Sequence, residues 1–375
     1  MYREYSWERQ FLTDPVTGVK IIKLTSFPTI NIKLYLHVNA FTADSKTLVF
    51  QSYQAQKRTS GIDLYKVNTD GTELVQLTQD REAASPVVTP DGKWVYYLCH
   101  GCLKRVSVKD GLEEEISCLD GIRPSDALSA NTAGTTVNGS MSPDGSLYIA
   151  DCTLDDGKRA ILRFSTDGKD AGIVLKNSEI THTQIDPING DTIAFQYGPD
   201  EKNRNIWLVR TDGTELRPLE LPYGNGHWMW QGRTGRIITN MEKHCQGICS
   251  ASAFENDGTV KVVAEGEHFW HAASDPTGEW IVSDTNWPDH GIFLIHAPTG
   301  NYRKLCEPRS SCGHPQWSHP HPSFSPDGKW VVYNSDVSGT AQMYLAEVPD
   351  RLKEELRKAE KKEGSIYVLP IRILF

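Results

Sequence analysis

Long apolar runs are missing from this 375-residue chain. None approaches the roughly 18 to 20 consecutive apolar residues that a membrane-spanning helix requires. The start, Met1-Tyr2-Arg3-Glu4-Tyr5-Ser6, also lacks the basic-then-apolar pattern of a secretory leader. The expectation is a cytoplasmic protein with reduced thiols. A basic face is missing too: the formal net charge is −9 and no stretch concentrates Lys and Arg, which excludes nucleic acid and anionic membrane as partners. An anionic substrate would need a locally positive pocket. Paired metal-binding cysteines are also lacking. Cys99-His100-Gly101-Cys102 is half a zinc knuckle with no second C-x-x-C, and His244-Cys245 with Cys249 is no more complete. The eight cysteines are therefore read as structural thiols. No G-x-S-x-G elbow is present, which argues against a peptidase.

What the chain has instead is turn chemistry. It carries 30 Gly, 20 Pro, 14 Tyr, 11 Phe and 10 Trp at 38% hydrophobic content, a composition of many short strands joined by tight turns. Its length exceeds the roughly 250–300 residues that one core supports, so repeats are tested first. A small-polar turn followed by an apolar strand recurs seven times, at residues 41–50, 89–97, 142–150, 186–195, 232–239, 275–282 and 325–333. Its clearest form is Pro-Asp-Gly, in which proline presets the first turn residue and glycine takes the positive φ. The copies stand about 44 to 53 residues apart. A second turn alternates with the first, at 68–72, 109–111, 165–168, 210–214, 255–259 and 297–300. Two hairpins per repeat make four strands, and seven such repeats predict an all-β, seven-bladed propeller.

The last copy lacks its own second turn, whereas Asp14-Pro15-Val16-Thr17-Gly18 and the strand after it form an orphan turn and outer strand. Ring closure by the N-terminal strand is therefore predicted, with the propeller occupying 1–349 and an appendage 350–375. Within the appendage, 351–362 reads as a charged, solvated helix on the outside of the ring. The strand-like 365–375 has no assigned place.

Histidines fall at related positions ahead of the repeat turns: His182, His227, His271, His319 and His321. The innermost strand of a blade lines the channel, so these residues face the expected ligand region. His319 and His321, separated and followed by proline, share one face of an extended chain. Taken alone, that pair reads equally as a solvated loop or a metal site. With His271 and Gln316 it supplies three imidazole nitrogens and one amide oxygen, a mixture that suits a borderline divalent ion such as Mn²⁺ and leaves positions open.

The segment Gln316-x-x-His319-Pro-His321-Pro-Ser-Phe-Ser-Pro-Asp, with Val332-Tyr333-Asn334-Ser335-Asp336 and Tyr344-Leu345-Ala346-Glu347-Val348-Pro349, closely resembles the C-terminal blade of the oligogalacturonate lyases. These are cytoplasmic seven-bladed propellers that bind Mn²⁺ and cleave pectin oligosaccharides by β-elimination. The resemblance implies that Gln316, His319, His321 and His271 hold the metal. It further implies that His227, in Gly226-His227-Trp228-Met229-Trp230, is the base that takes the C5 proton, titrating near neutrality. Arg204 matches the family's active-site arginine, one residue farther from Trp207 than the family has it, as a carboxylate or oxyanion partner; a surface loop is the competing reading. Ile180-Thr181-His182-Thr183 carries weaker similarity, and His182 and Trp230 are candidate substrate contacts. Trp228, Trp230, Trp270 and Trp317 read either as sugar platforms or as packing. The chain departs from the family at Gln196-Tyr197-Gly198-Pro199, where the family has His-Glu-Gly-Pro. The expected substrate is a small anionic oligosaccharide; a lyase for another uronate-containing oligosaccharide and a non-catalytic interaction propeller are the alternatives.

Overall fold

In the computed structural model each Pro-Asp-Gly turn closes through its own side chains. Thr89 Oγ1 donates to Asp91 Oδ1 at 2.6 Å, Lys93 N–H donates to the same oxygen at 3.1 Å, and Trp94 N–H returns to Thr89 Oγ1 at 3.1 Å. The same three bonds recur around Ser142 and Asp144, and around Ser325 and Asp327. The small hydroxyl and the aspartate thus satisfy backbone donors that the strands cannot reach. Gly92 is required twice over: its φ is +74°, and a Cβ there would stand 2.7 Å from Ala43 N in the neighbouring repeat.

Residues 3–5, 7–53, 62–79, 83–122, 139–198, 205–221, 226–241, 247–285, 288–313, 316–360 and 366–368 are described. They form seven antiparallel sheets of four or five strands, the predicted seven-bladed propeller. From inside to outside, blade 1 is Asn31–Lys33, Thr47–Ser52, Asp63–Asn68 and Val75–Gln76, with Arg3–Glu4 added at the edge. The inner strands of blades 2 to 7 are Ala84–Val88, Gly139–Met141, Thr181–Ile185, Trp228–Trp230, Phe269–Ser274 and Ser323–Phe324. The second strands are buried along nearly their whole length, as in Trp280–Thr285, because each blade is covered on both faces by its neighbours. A fully buried Leu or Val contributes about 1.5–3 kcal/mol, and these stacked faces are the core.

Blade 7 closes the ring as expected. Lys20–Lys23 pairs with Gln342–Glu347, Ile21 opposite Ala346 and Ile22 opposite Leu345. Beyond the expectation, Gln10–Thr13 adds a fifth, exposed strand to this blade. The C-terminal helix is shorter than expected, Asp350–Lys358, and it is not simply a solvated rod. Leu356 is buried in the blade 6–7 core and Arg357 pairs with Glu279 at 2.7 Å. Ile366–Val368 pairs with the outer strand of blade 5, Thr259–Glu265.

One pair of cysteines corrects the expectation of reduced thiols. The antiparallel register sets Cys102 directly opposite Cys118, and the two are joined as a disulfide. Cys99, Cys152, Cys249, Cys306 and Cys312 are buried; His244 and Cys245 lie outside the described residues. Among the described residues no helix is long and apolar enough to cross a membrane.

Candidate metal centre and active site

A recurring polar position holds the upper ends of the inner strands. The fifth residue of the second strand is Gln51, Asp151, Gln196, Asn240, Asp284 or Asn334 in six blades, and Leu98 in blade 2. Most of these side chains bind the backbone of an inner strand. Asn334 Oδ1 accepts from Lys33 N at 3.0 Å, Asn240 Oδ1 from His227 N at 3.1 Å, Asp151 Oδ2 from Thr183 N at 3.3 Å, and Gln51 Nε2 donates to Ala83 O at 3.1 Å. The inner strands of blades 2, 4 and 6 also carry an irregularity at this level. In blade 4 it leaves His182 at φ +55°, a conformation that needs support from its surroundings. Arg159, ion-paired with Asp151, supplies part of that support by donating to Ile180 O at 2.6 Å.

His271, His319 and His321 converge. Their ligand nitrogens lie within 4.8 Å of one another, and all three residues are buried. Two of the tautomers can be read from their partners. His271 Nδ1 lies 2.8 Å from Asp284 Oδ2, so the proton sits on Nδ1 and the Nε2 lone pair is exposed to the centre. His319 Nε2 lies 3.1 Å from Cys312 O, which only accepts, so Nδ1 carries the lone pair. Among the described residues, His271 Nε2 and His321 Nε2 are buried with no hydrogen-bond partner. Buried ring nitrogens of this kind ordinarily find a partner, and a divalent ion supplies one to both, so the residues present fit such an ion. Burial, then the neighbouring imidazoles, hold His271 and His321 well below the ordinary histidine value, keeping them neutral as ligation requires. Gln316 opens the short turn Gln316–Ser318, half-buried, and its carbonyl accepts His319 N–H at 3.0 Å.

His227 stands beside this cluster, with its ring centroid 4.4 Å from His271 and 4.7 Å from Trp270. Its Nδ1 is buried with no hydrogen-bond partner. The expectation that it titrates near neutrality is corrected: burial first, then His271 and His182, push it well below the ordinary value. His182 lies across from His227 at 6.4 Å, pushed down to about 4 by burial and by Arg159.

Four residues here were not anticipated. Tyr35 spans the channel, its ring against His37, His182 and His321 and its hydroxyl 3.4 Å from His182 Nε2. It forms the floor of the site. His37 lies below it, five residues ahead of its turn residue Thr42 where His271 stands four ahead of Asp275, and that one-residue difference hid it. Lys33 is buried with its Nζ on Leu34 O at 2.6 Å, and burial lowers it to about 7 against the charge of Asp284. Asp284 is the fourth; burial raises it to about 7, opposed by amides of His271 and His321.

Two candidates lie elsewhere. Trp230 is packed with Trp228 in the blade 4–5 core and borders the cavity of about 670 Å³ at the turn end of the channel, with Arg233 and Pro276, away from His227. Both tryptophans pack in that core, and among the described residues Trp230 makes no ring contact with the histidine cluster. Arg204 lies outside the described residues.

A family model described as oligogalacturonate lyase matches residues 235–352, the stretch that holds His271, Gln316, His319 and His321. The oligogalacturonate lyase of Dickeya dadantii (strain 3937) is 24% identical over 385 residues, covering 90% of this chain and 95% of that protein. The chain is a relative of the oligogalacturonate lyases. The oligogalacturonide lyase of Pectobacterium atrosepticum is 27% identical over 214 residues, covering 49% of this chain and 53% of that one. An oligogalacturonate lyase solved in complex with manganese superposes with a TM-score of 0.77 at 18% identity, covering 94% of this chain and 99% of that chain. The oligogalacturonate lyase of Vibrio parahaemolyticus gives 0.78 at 19% identity over 93% and 99%. The family match stops short of His182, Arg204 and His227, which rest on the longer relatives and on the geometry above.

Proposed function

We propose that this chain is a lyase that cleaves short oligogalacturonides by β-elimination, with Mn²⁺ or a similar divalent ion held by His271, Gln316, His319 and His321. The observation that carries the reading is the convergence of three buried imidazoles, two with a ring nitrogen that has no partner among the described residues, beside a fourth neutral imidazole. The manganese in the structure of a relative supports the choice of ion. A bound divalent ion neutralises the uronate carboxylate and so acidifies the adjacent C5 proton. His227, neutral because it is buried, accepts that proton. The C5–H electron pair becomes the C4=C5 double bond as the C4–O bond breaks, and the departing oxygen takes a proton from water, His227 later returning its own to solvent. Tyr35 limits how deep the sugar can enter, and His182 offers a neutral polar arm opposite His227. Arg204 is proposed for a second carboxylate.

A second reading, a lyase for a different uronate-containing oligosaccharide, draws on one feature. Gln196 Oε1 is buried with no hydrogen-bond partner where the family has histidine. A non-catalytic platform gives no reason to bury this many imidazoles together. The test is digalacturonate with Mn²⁺, followed by the ultraviolet absorbance of the unsaturated uronide. Activity is expected, lost with chelator and reduced about 100-fold or more by His319→Ala. No signal on any uronide, or full activity in His319→Ala, would sink the lyase reading. Activity on other uronides but not galacturonate would favour the second reading.

A further inference from the structure

Among the strand-end polar residues, Asp284 alone reaches past the backbone to an imidazole. Its Oδ1 accepts His271 N–H at 2.8 Å, and its Oδ2 accepts both His271 Nδ1–H at 2.8 Å and His321 N–H at 3.2 Å. The two histidines come from different blades, and Asp284 is fully buried between them. His321 stands at φ +44°, where a residue with a Cβ needs to be held. The equivalent side chains Gln51, Asn240 and Asn334 bind backbone only in the contacts described above.

We propose that Asp284 is the positioning residue of the metal centre: one carboxylate fixes the tautomer of His271 and pins the backbone that carries His321. The inference rests on the metal-site reading above but not on the lyase activity. A carboxylate accepts at every lone pair, whereas an amide in its place presents one acceptor and one donor. Asp284→Asn therefore cannot accept all three N–H groups. With its NH₂ toward His271, the ring is forced to accept at Nδ1, which moves the proton to Nε2, the nitrogen that faces the centre. With its oxygen there instead, the NH₂ replaces Oδ1 and the bond from His271 N–H is lost. Both outcomes weaken the site through its supporting shell.

The test is Mn²⁺ affinity, measured by calorimetric titration and by the loss of the free-ion paramagnetic resonance signal. Asp284→Asn is expected to weaken binding about 10- to 100-fold, and Gln51→Ala, at the same strand position in blade 1, to leave it unchanged. Asp284→Glu keeps the charge and all its acceptors and is expected to fall between wild type and Asp284→Asn; it also serves if the asparagine variant does not fold. If the wild type cleaves digalacturonate, Asp284→Asn is expected to recover most of its rate at saturating Mn²⁺. A folded Asp284→Asn that binds Mn²⁺ as wild type overturns the proposal, as does an equal loss in Gln51→Ala. Wild-type protein that binds Mn²⁺ but cleaves no uronide removes the lyase reading and leaves this one standing.

Discussion

His227 and His271 touch, yet their chemistry is different. His271 has its Nδ1 proton tied to a carboxylate and its remaining nitrogen in the cluster, whereas His227 has no carboxylate partner among the described residues and lies outside the cluster of ligand nitrogens. Removing a ligand weakens metal binding, but removing a base leaves it intact. His227→Ala is accordingly expected to lower kcat on digalacturonate by about 100- to 10,000-fold while the Mn²⁺ dissociation constant stays within about twofold. Parallel losses in both would place His227 among the ligands instead. At this scale the sequence showed the histidines through their common offset before a turn. It did not show Asp284 or Tyr35, because an aspartate at the end of a strand and a tyrosine in an apolar run have many ordinary uses. Only the register across two blades gives Asp284 its three partners.

Among the elements, the closing strand bears the most on the site, since it completes the blade that carries His319 and His321. It is held at its start by Asp14, which is 2% exposed and accepts from Val16 N, Thr17 N, Thr17 Oγ1 and, across in the blade 6 connection, Glu307 N at 2.8 to 3.0 Å. Burial alone would raise this carboxyl, but the four donors hold it below the ordinary value. Asp14→Ala leaves those four donors without their shared acceptor, a cost of about 2–4 kcal/mol. The comparison is Asp70→Ala, which removes a similar local turn bond at an exposed position and is expected to cost much less. Urea unfolding midpoints measure both, and equal losses would show that Asp14 does no more than shape its turn. The closing strand was legible because its turn had no partner in the repeat. The exposed Gln10–Thr13 strand was not, because it follows no repeat.

The sevenfold repeat made the whole ring readable, since each turn is fixed by residues within six positions of one another. How the blades meet was not readable, and neither was the consequence for charge. His37, His182, His227, His271 and His321 are all held below the ordinary histidine value, with burial as the first cause in each. In the unfolded chain each would take up a proton near pH 6.5. Below that pH the unfolded state binds more protons than the folded state, so stability is full above about 6.5 and falls as the solution is acidified. Each histidine contributes a slope of up to about 1.4 kcal/mol per pH unit, and for His182 the loss is complete near pH 4. Asp284, raised to about 7, works in the opposite direction, because its folded form keeps a proton that the unfolded form has released. Asp289, also raised by burial, works the same way; two carboxyls offset at most two of five imidazoles, so the net sign is loss on acidification. Urea unfolding of the metal-free protein at pH 7.5, 6.0 and 5.0 should therefore show stability dropping by more than about 1.4 kcal/mol per unit below pH 6.5, the mark of more than one net proton. A flat profile between pH 7.5 and 5.0 would mean that the imidazoles are open to water, and the buried centre on which the metal reading depends would go with it.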